Sequence, residues 1–202
     1  FKTRIEGTDP GGDTAAGQGG MPAGLDWVAL ARRSKPLVAA VNGAAVGIGM
    51  TMILPFDVIV ASEAARFGML FIKMGLVPEL ASTRLLGARV GFGRASDLML
   101  SGQLISGDEA HRIGLADRLA EPDELLTTAF EVAERYAANP DLQLRMTKRL
   151  LTDHLLGGAD LPGVQESESA MLRECWKSPE HAEAVAAFLA KRPPVFRPVT
   201  DS

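Results

Sequence analysis

Apolar residues follow two rhythms along this chain, and the rhythm changes near its middle. Leu37-Val-Ala-Ala-Val41 and Asp57-Val-Ile-Val-Ala61 are short, β-branched runs of the kind found in strands buried on both faces. Between them, Asn42-Gly-Ala-Ala-Val-Gly-Ile-Gly49 reads as a tight loop, and Met50 to Leu54 as the opening of a buried helix that Pro55 ends. Arg66-Phe-Gly-Met69 reads as a brief third strand. Ahead of these, Leu25 to Arg33 has apolar residues at helical spacing and closes on Arg32 and Arg33, as a helix C-terminus prefers, before Pro36 stops it. Strand, glycine loop, helix and strand in that order predict a crossover unit of an α/β protein.

From residue 93 onward the period is helical. Gly93 to Ser101 predicts one helix. Ser106-Gly-Asp-Glu109 is a capping box opening another through Arg112, which Gly114 ends. Leu115 to Leu119 reads as a strand, and Asp123 to Ala138 as an amphipathic helix that stops before Pro140. Asp141 to Leu155, Leu161 to Lys177 and Pro179 to Lys191 predict three more helices. The expected organisation is an α/β core over residues 1–120 and a helical region over residues 121–202. Within the first of these, Gly7 to Gly24 carries seven glycines with Pro10 and Pro22, and reads as a surface loop.

Composition narrows the function. A chain of 202 residues with 47% hydrophobic content can bury one sizeable core. Its net charge of -4, without clustered Lys and Arg, argues against nucleic acid as the main partner. The single Cys175 provides neither an internal disulfide nor a zinc cluster, and His111, His154 and His181 lie far apart, so no metal is expected. The longest apolar stretch, Leu37 to Val60, is broken by Asn42, Pro55 and Asp57, which argues against a bilayer span and a membrane partner. The first residue is Phe1 rather than Met, which leaves room for an upstream targeting segment; in a bacterial host the expected compartment is the cytoplasm.

Two features carry candidate chemistry. Glu79 is the only carboxylate between Glu63 and Asp97, at the end of the apolar run Phe67-Gly-Met-Leu-Phe-Ile-Lys-Met-Gly-Leu-Val-Pro-Glu79. Apolar surroundings disfavour the charged carboxylate and move its pKa toward the range useful for proton transfer; an exposed turn glutamate after Pro78 is the plainer reading. Gly47-Ile-Gly49 sits between a predicted strand and a predicted helix, where free backbone amides can meet a negative charge. The spacing fits neither the dinucleotide fingerprint nor the phosphate-binding Gly-Lys-Ser/Thr pattern.

The motif Lys35-Pro-Leu-Val-Ala-Ala-Val-Asn-Gly-Ala-Ala-Val-Gly-Ile-Gly-Met50, with Asp57-Val-Ile-Val-Ala-Ser62 and Arg66-Phe-Gly68, resembles the crotonase (enoyl-CoA hydratase/isomerase) superfamily. The likeness continues through Leu100 to Ser106, Ala110 to Leu115 and Ala187-Phe-Leu-Ala-Lys-Arg192. It implies a crotonase-like (ClpP/crotonase) α/β spiral of ββα units with a C-terminal helical trimerisation layer. It also implies an acyl-CoA thioester as substrate, no separate cofactor, and a homotrimer or a dimer of trimers.

By the same resemblance, the Ile48 amide, flanked by Gly47 and Gly49, is the second donor of an oxyanion hole. Such donors are commonly worth roughly 3 to 4 kcal/mol each. The first donor belongs to a segment that would precede Phe1-Lys2. The two positions that carry glutamates in hydratases correspond to Thr51 and Phe71, so hydration is disfavoured. Gly75-Leu-Val-Pro-Glu79, with Ser82 nearby, resembles the peroxisomal-type Δ3,Δ2-enoyl-CoA isomerase subgroup, in which a Pro-Glu pair carries one base. Met69, Leu70, Phe71 and Met74 are then expected beside the acyl chain, although core packing explains such residues equally. Lys2, Phe188 and Lys191 are expected toward the CoA, with a plain surface helix the other reading of the last two. Another crotonase-type reaction, hydratase activity included, and a non-catalytic acyl-CoA-binding member are the remaining alternatives.

Overall fold

Asp26 starts the first described element by accepting a hydrogen bond from the Ala29 amide at 2.8 Å. The computed structural model describes residues 25–158 and 160–196. The predicted loop Gly7 to Gly24, and Lys2, lie outside the described residues. In chain order the described elements run α1 (Trp27–Arg33), β1 (Val38–Val41), β2 (Ala44–Val46), α2 (Ile48–Thr51), β3 (Val58–Ser62) and β4 (Arg66–Gly68). A 3₁₀ segment (Leu70–Met74) leads to α3 (Ser82–Val90), α4 (Phe92–Ser101), β5 (Leu104–Ser106), α5 (Gly107–Arg112) and β6 (Arg118–Ala120). The helices α6 (Leu125–Ala137), α7 (Asp141–Leu151), α8 (Leu161–Cys175) and α9 (Pro179–Leu189) complete the chain, α7 continuing through a π turn over Thr152–Leu156.

The strands form two small sheets. β1, β3 and β6 are parallel, in the order β1-β3-β6. β2 pairs parallel with β4, and β5 closes the second sheet antiparallel to β4. Both sheets feed one core: Ala39, Val41, Ile59 and Ala61 from the first meet Ala45 and Phe67 from the second, with Leu85, Leu86 and Leu98 from α3 and α4. The opposite face of the first sheet is covered by α6, where Val60 and Ala120 meet Leu125 and Ala129. Alternate residues of β3 therefore serve opposite cores, as the period of a strand demands.

Several sequence expectations change. β3 is buried on both faces, but in β1 Ala40 is exposed, because among the described residues β1 pairs on one side only and of its residues Val38 alone reaches the α6 cluster. The predicted loop Asn42–Gly49 contains a strand, β2, and already opens α2 at Ile48. The strand expected over Leu115–Leu119 lies at Arg118–Ala120, since Leu115 and Ala116 are spent in the turn that leaves α5. α3 and β5 carry no prediction at all. The capping box is half formed: Ser106 Oγ accepts from the Glu109 amide at 3.2 Å, while the Glu109 carboxylate turns to Arg112 at 2.6 Å.

One ionic cluster ties the C-terminal helices to the core. Asp57 accepts from Arg32 of α1 at 2.9 Å, from Lys148 of α7 at 2.7 Å and from the Leu37 amide at 2.7 Å. Lys148 also donates to the Lys35 carbonyl at 3.0 Å. Burial lowers the Lys148 pKa from 10.5, opposed by its hydrogen bond to Asp57. Among the described residues no helix is long and apolar enough to cross a membrane.

Candidate active site

The glycine loop is built by the join of β2 to α2. Gly47 has φ 53° and ψ -123°, a conformation that side chains strongly resist. Its amide donates to the Gly68 carbonyl at 3.0 Å, which pins the loop to the end of β4. Its carbonyl accepts from the Met50 and Thr51 amides, both at 3.0 Å, so the chain turns at once into α2. Among the described residues no backbone acceptor meets the amides of Ile48 and Gly49. Nothing lies within 4 Å of where a Cβ on Gly47 or Gly49 would stand, so the space over the loop is open.

Thr51 is fully buried and its hydroxyl donates to the Ile48 carbonyl at 3.2 Å, a helix-internal bond that faces no substrate. Phe71 is half-buried against the main core. Neither side chain is a carboxylate that could act as a base near neutral pH. The apolar residues expected beside the acyl chain divide by position. Met69 is fully buried in the main core, Leu70 and Phe71 are half-buried in the 3₁₀ segment, and Met74 is 59% exposed.

Glu79 is half-buried at the end of the extended stretch that follows this segment. Its carbonyl accepts from the Ser82 amide at 3.0 Å. Leu80 and Ala81 then both adopt left-handed conformations, with φ 54° and 53°. Two consecutive non-glycine residues there cost of order 1–3 kcal/mol each, strain that clusters at functional positions. Ser82 is buried and its hydroxyl has no partner among the described residues. Phe188, at the end of α9, is 82% exposed, and the amide of the exposed Lys191 donates to its carbonyl at 3.2 Å.

A cavity of about 1140 Å³ begins at the turn after Glu79: Leu80 and Ala81 line it, with α1, α7 and α8 as its other walls. Neither Ile48 nor Glu79 lines it. Sequence reasoning missed this cavity and the arginines around it. Arg33 drew notice only as a helix-ending cation and Arg84 none, because their shared place in the lining depends on the tertiary packing of α1 and α3.

The sequence pattern described as Enoyl-CoA hydratase/isomerase matches residues 18–198 of this chain. The chain belongs to the enoyl-CoA hydratase/isomerase family. Short-chain-enoyl-CoA hydratase of Clostridium acetobutylicum is 35% identical over 158 residues, covering 78% of this chain and 60% of that protein. The 1,2-epoxyphenylacetyl-CoA isomerase of Escherichia coli is 35% identical over 167 residues, covering 83% and 63%. The solved structure of an enoyl-CoA hydratase from Bacillus anthracis superposes with a TM-score of 0.80 at 28% identity, covering 84% of this chain and 65% of that one. These matches bear out the crotonase-like fold expected from the motifs. The chain spans about three fifths of the length of the curated relatives it matches.

Proposed function

We propose that the protein processes acyl-CoA thioesters as a Δ3,Δ2-enoyl-CoA isomerase, with Glu79 as its single base and the Ile48 amide as an oxyanion donor. The observation that carries this reading is the fate of the two positions where hydratases hold glutamates. Thr51 is sealed in the core with its hydroxyl engaged, and Phe71 is apolar, so two-carboxylate activation of water lacks its groups. Isomerisation needs one carboxylate only.

In the proposed reaction the Glu79 carboxylate takes a proton from the carbon next to the thioester carbonyl. The electrons of that C–H bond move into the conjugated system and the carbonyl oxygen becomes a dienolate oxyanion, which accepts a hydrogen bond from the Ile48 amide. Glu79 then returns the proton at the γ carbon, and the double bond moves from C3–C4 to C2–C3 with no net change in atoms or charge. Neither metal nor cofactor is needed. Leu70 and Phe71 exclude water from the dienolate, and Phe188 and Lys191 serve the nucleotide end of CoA in a trimer or a dimer of trimers.

Hydration is the second reading, favoured by the hydratase activity that the Clostridium relative is named for. The test supplies the full-length protein with a trans-3-enoyl-CoA and a trans-2-enoyl-CoA separately, as wild type and as Glu79→Gln. Isomerisation predicts turnover of the 3-enoyl substrate and a loss of about 10²–10⁴-fold in kcat for the variant. No turnover of that substrate, or full activity in the variant, overturns it. Turnover of the 2-enoyl thioester alone supports hydration, and tight binding of both without turnover supports a binding role.

A further inference from the structure

The cavity beside the Leu80–Ala81 turn has an apolar wall and a cationic one. Trp27, Leu80, Met146 and Met171 supply the apolar surface. Five arginines also line it, which a purely hydrocarbon chain would not call for. Three of them are occupied: Arg32 by Asp57 at 2.9 Å, Arg145 by Asp141 at 2.9 Å and Arg149 by Asp153 at 3.4 Å. Arg33 and Arg84 have no ion pair among the described residues.

Three carboxylates, Asp26, Asp153 and Glu174, share the lining with them. Asp26 is spent capping α1 and Asp153 is held by Arg149, leaving Glu174 of α8 as the remaining acid of the lining. Arg84 is also tied to the turn itself, since its amide donates to the Ala81 carbonyl at 3.0 Å. Arg84 lines the cavity with Leu80 and Ala81, and both it and Arg33 are exposed.

We propose that this cavity receives an acyl chain ending in a carboxylate, with Arg84 as the specificity-determining residue and Arg33 supporting it. The substrate class is then the CoA monothioester of a dicarboxylic acid. The methylene chain lies along the apolar wall, and the far carboxylate accepts charge-assisted hydrogen bonds from the guanidinium fork, which matches a carboxylate better than a lysine would. This rests on the acyl-CoA reading above, but not on which reaction follows.

Calorimetric titration with two unreactive thioesters of equal chain length, adipyl-CoA and hexanoyl-CoA, tests it without turnover. The full-length wild type is expected to bind adipyl-CoA about tenfold tighter than hexanoyl-CoA. Arg84→Gln is expected to remove most of that difference by weakening adipyl-CoA alone, and the Arg33→Gln/Arg84→Gln double variant to remove the rest. Equal wild-type affinities overturn the proposal. So does an equal loss for both thioesters in Arg84→Gln, which would assign the arginine to a CoA phosphate. Binding of neither thioester overturns the acyl-CoA reading itself.

Discussion

At Gly47 a single backbone conformation decides where the Ile48 amide points. The φ of 53° with ψ of -123° holds the peptide so that its own N–H is spent on Gly68, while the next two meet no backbone acceptor among the described residues. Gly47→Ala is expected to cost about 1–3 kcal/mol in urea unfolding, the range for forcing a side chain into such a region. If the Ile48 amide is the oxyanion donor proposed above, the variant should lower kcat more than it raises KM, because such a donor serves the transition state. A second glycine is required by contact rather than by torsion. A Cβ on Gly107 would stand 2.1 Å from the Ser62 carbonyl oxygen, so Gly107→Ala must push α5 away from the end of β3. Its melting temperature should fall by several degrees or more, and an unchanged value would refute the contact.

At the level of elements, Asp57 is the common partner of α1 and α7. Asp57→Asn keeps the shape but leaves Lys148 and Arg32 without their counter-charge, and is expected to cost about 3 kcal/mol. Lys148→Met removes the buried cation and should cost clearly less in the same denaturant series. The reverse ranking would sink the account. This cluster also marks the limit of sequence reading. Lys148 looks like the polar face of an amphipathic helix, because its partner lies in a distant turn. Helices with long periodic patterns, such as Asp123–Ala138, were legible. α3 was not, because Ala81 offers no capping side chain and Gly87 interrupts its period. β2 and β5 span three residues each, too short for an alternation to register, and their strand character comes from pairing with β4. Of the candidate site, the glycine loop and Glu79 could be read from local composition, whereas the cavity could not.

Across the whole molecule, the segment from Arg192 to Val195 is fastened to α9 by charge. Glu183 of α9 accepts from Arg192 at 2.6 and 2.9 Å and from the Val195 amide at 2.8 Å. The Arg192 hydrogen bonds first, then that of Val195, lower the Glu183 pKa from 4.5 to about 2. A depressed carboxylate pKa gives stabilisation that is complete above the unfolded value and lost as pH falls through the folded one. Protection of the Val195 amide from hydrogen exchange should therefore decline between about pH 4.5 and 2. Because the pair is open to solvent, with Arg192 exposed and Glu183 half-buried, added salt should weaken it as well.

The Asp57 cluster has one more consequence. α1 and α7 both line the cavity, and the Asp57 carboxylate, with the Arg32–Thr152 and Lys148–Ser34 hydrogen bonds, holds them together. A lineage that needed a wider or narrower chamber could not slide these walls apart without first surrendering stability. Adaptation to new acyl groups is thus steered toward exchanging side chains on fixed walls, and the residues free to change are those, like Arg33 and Arg84, that hold nothing else in place.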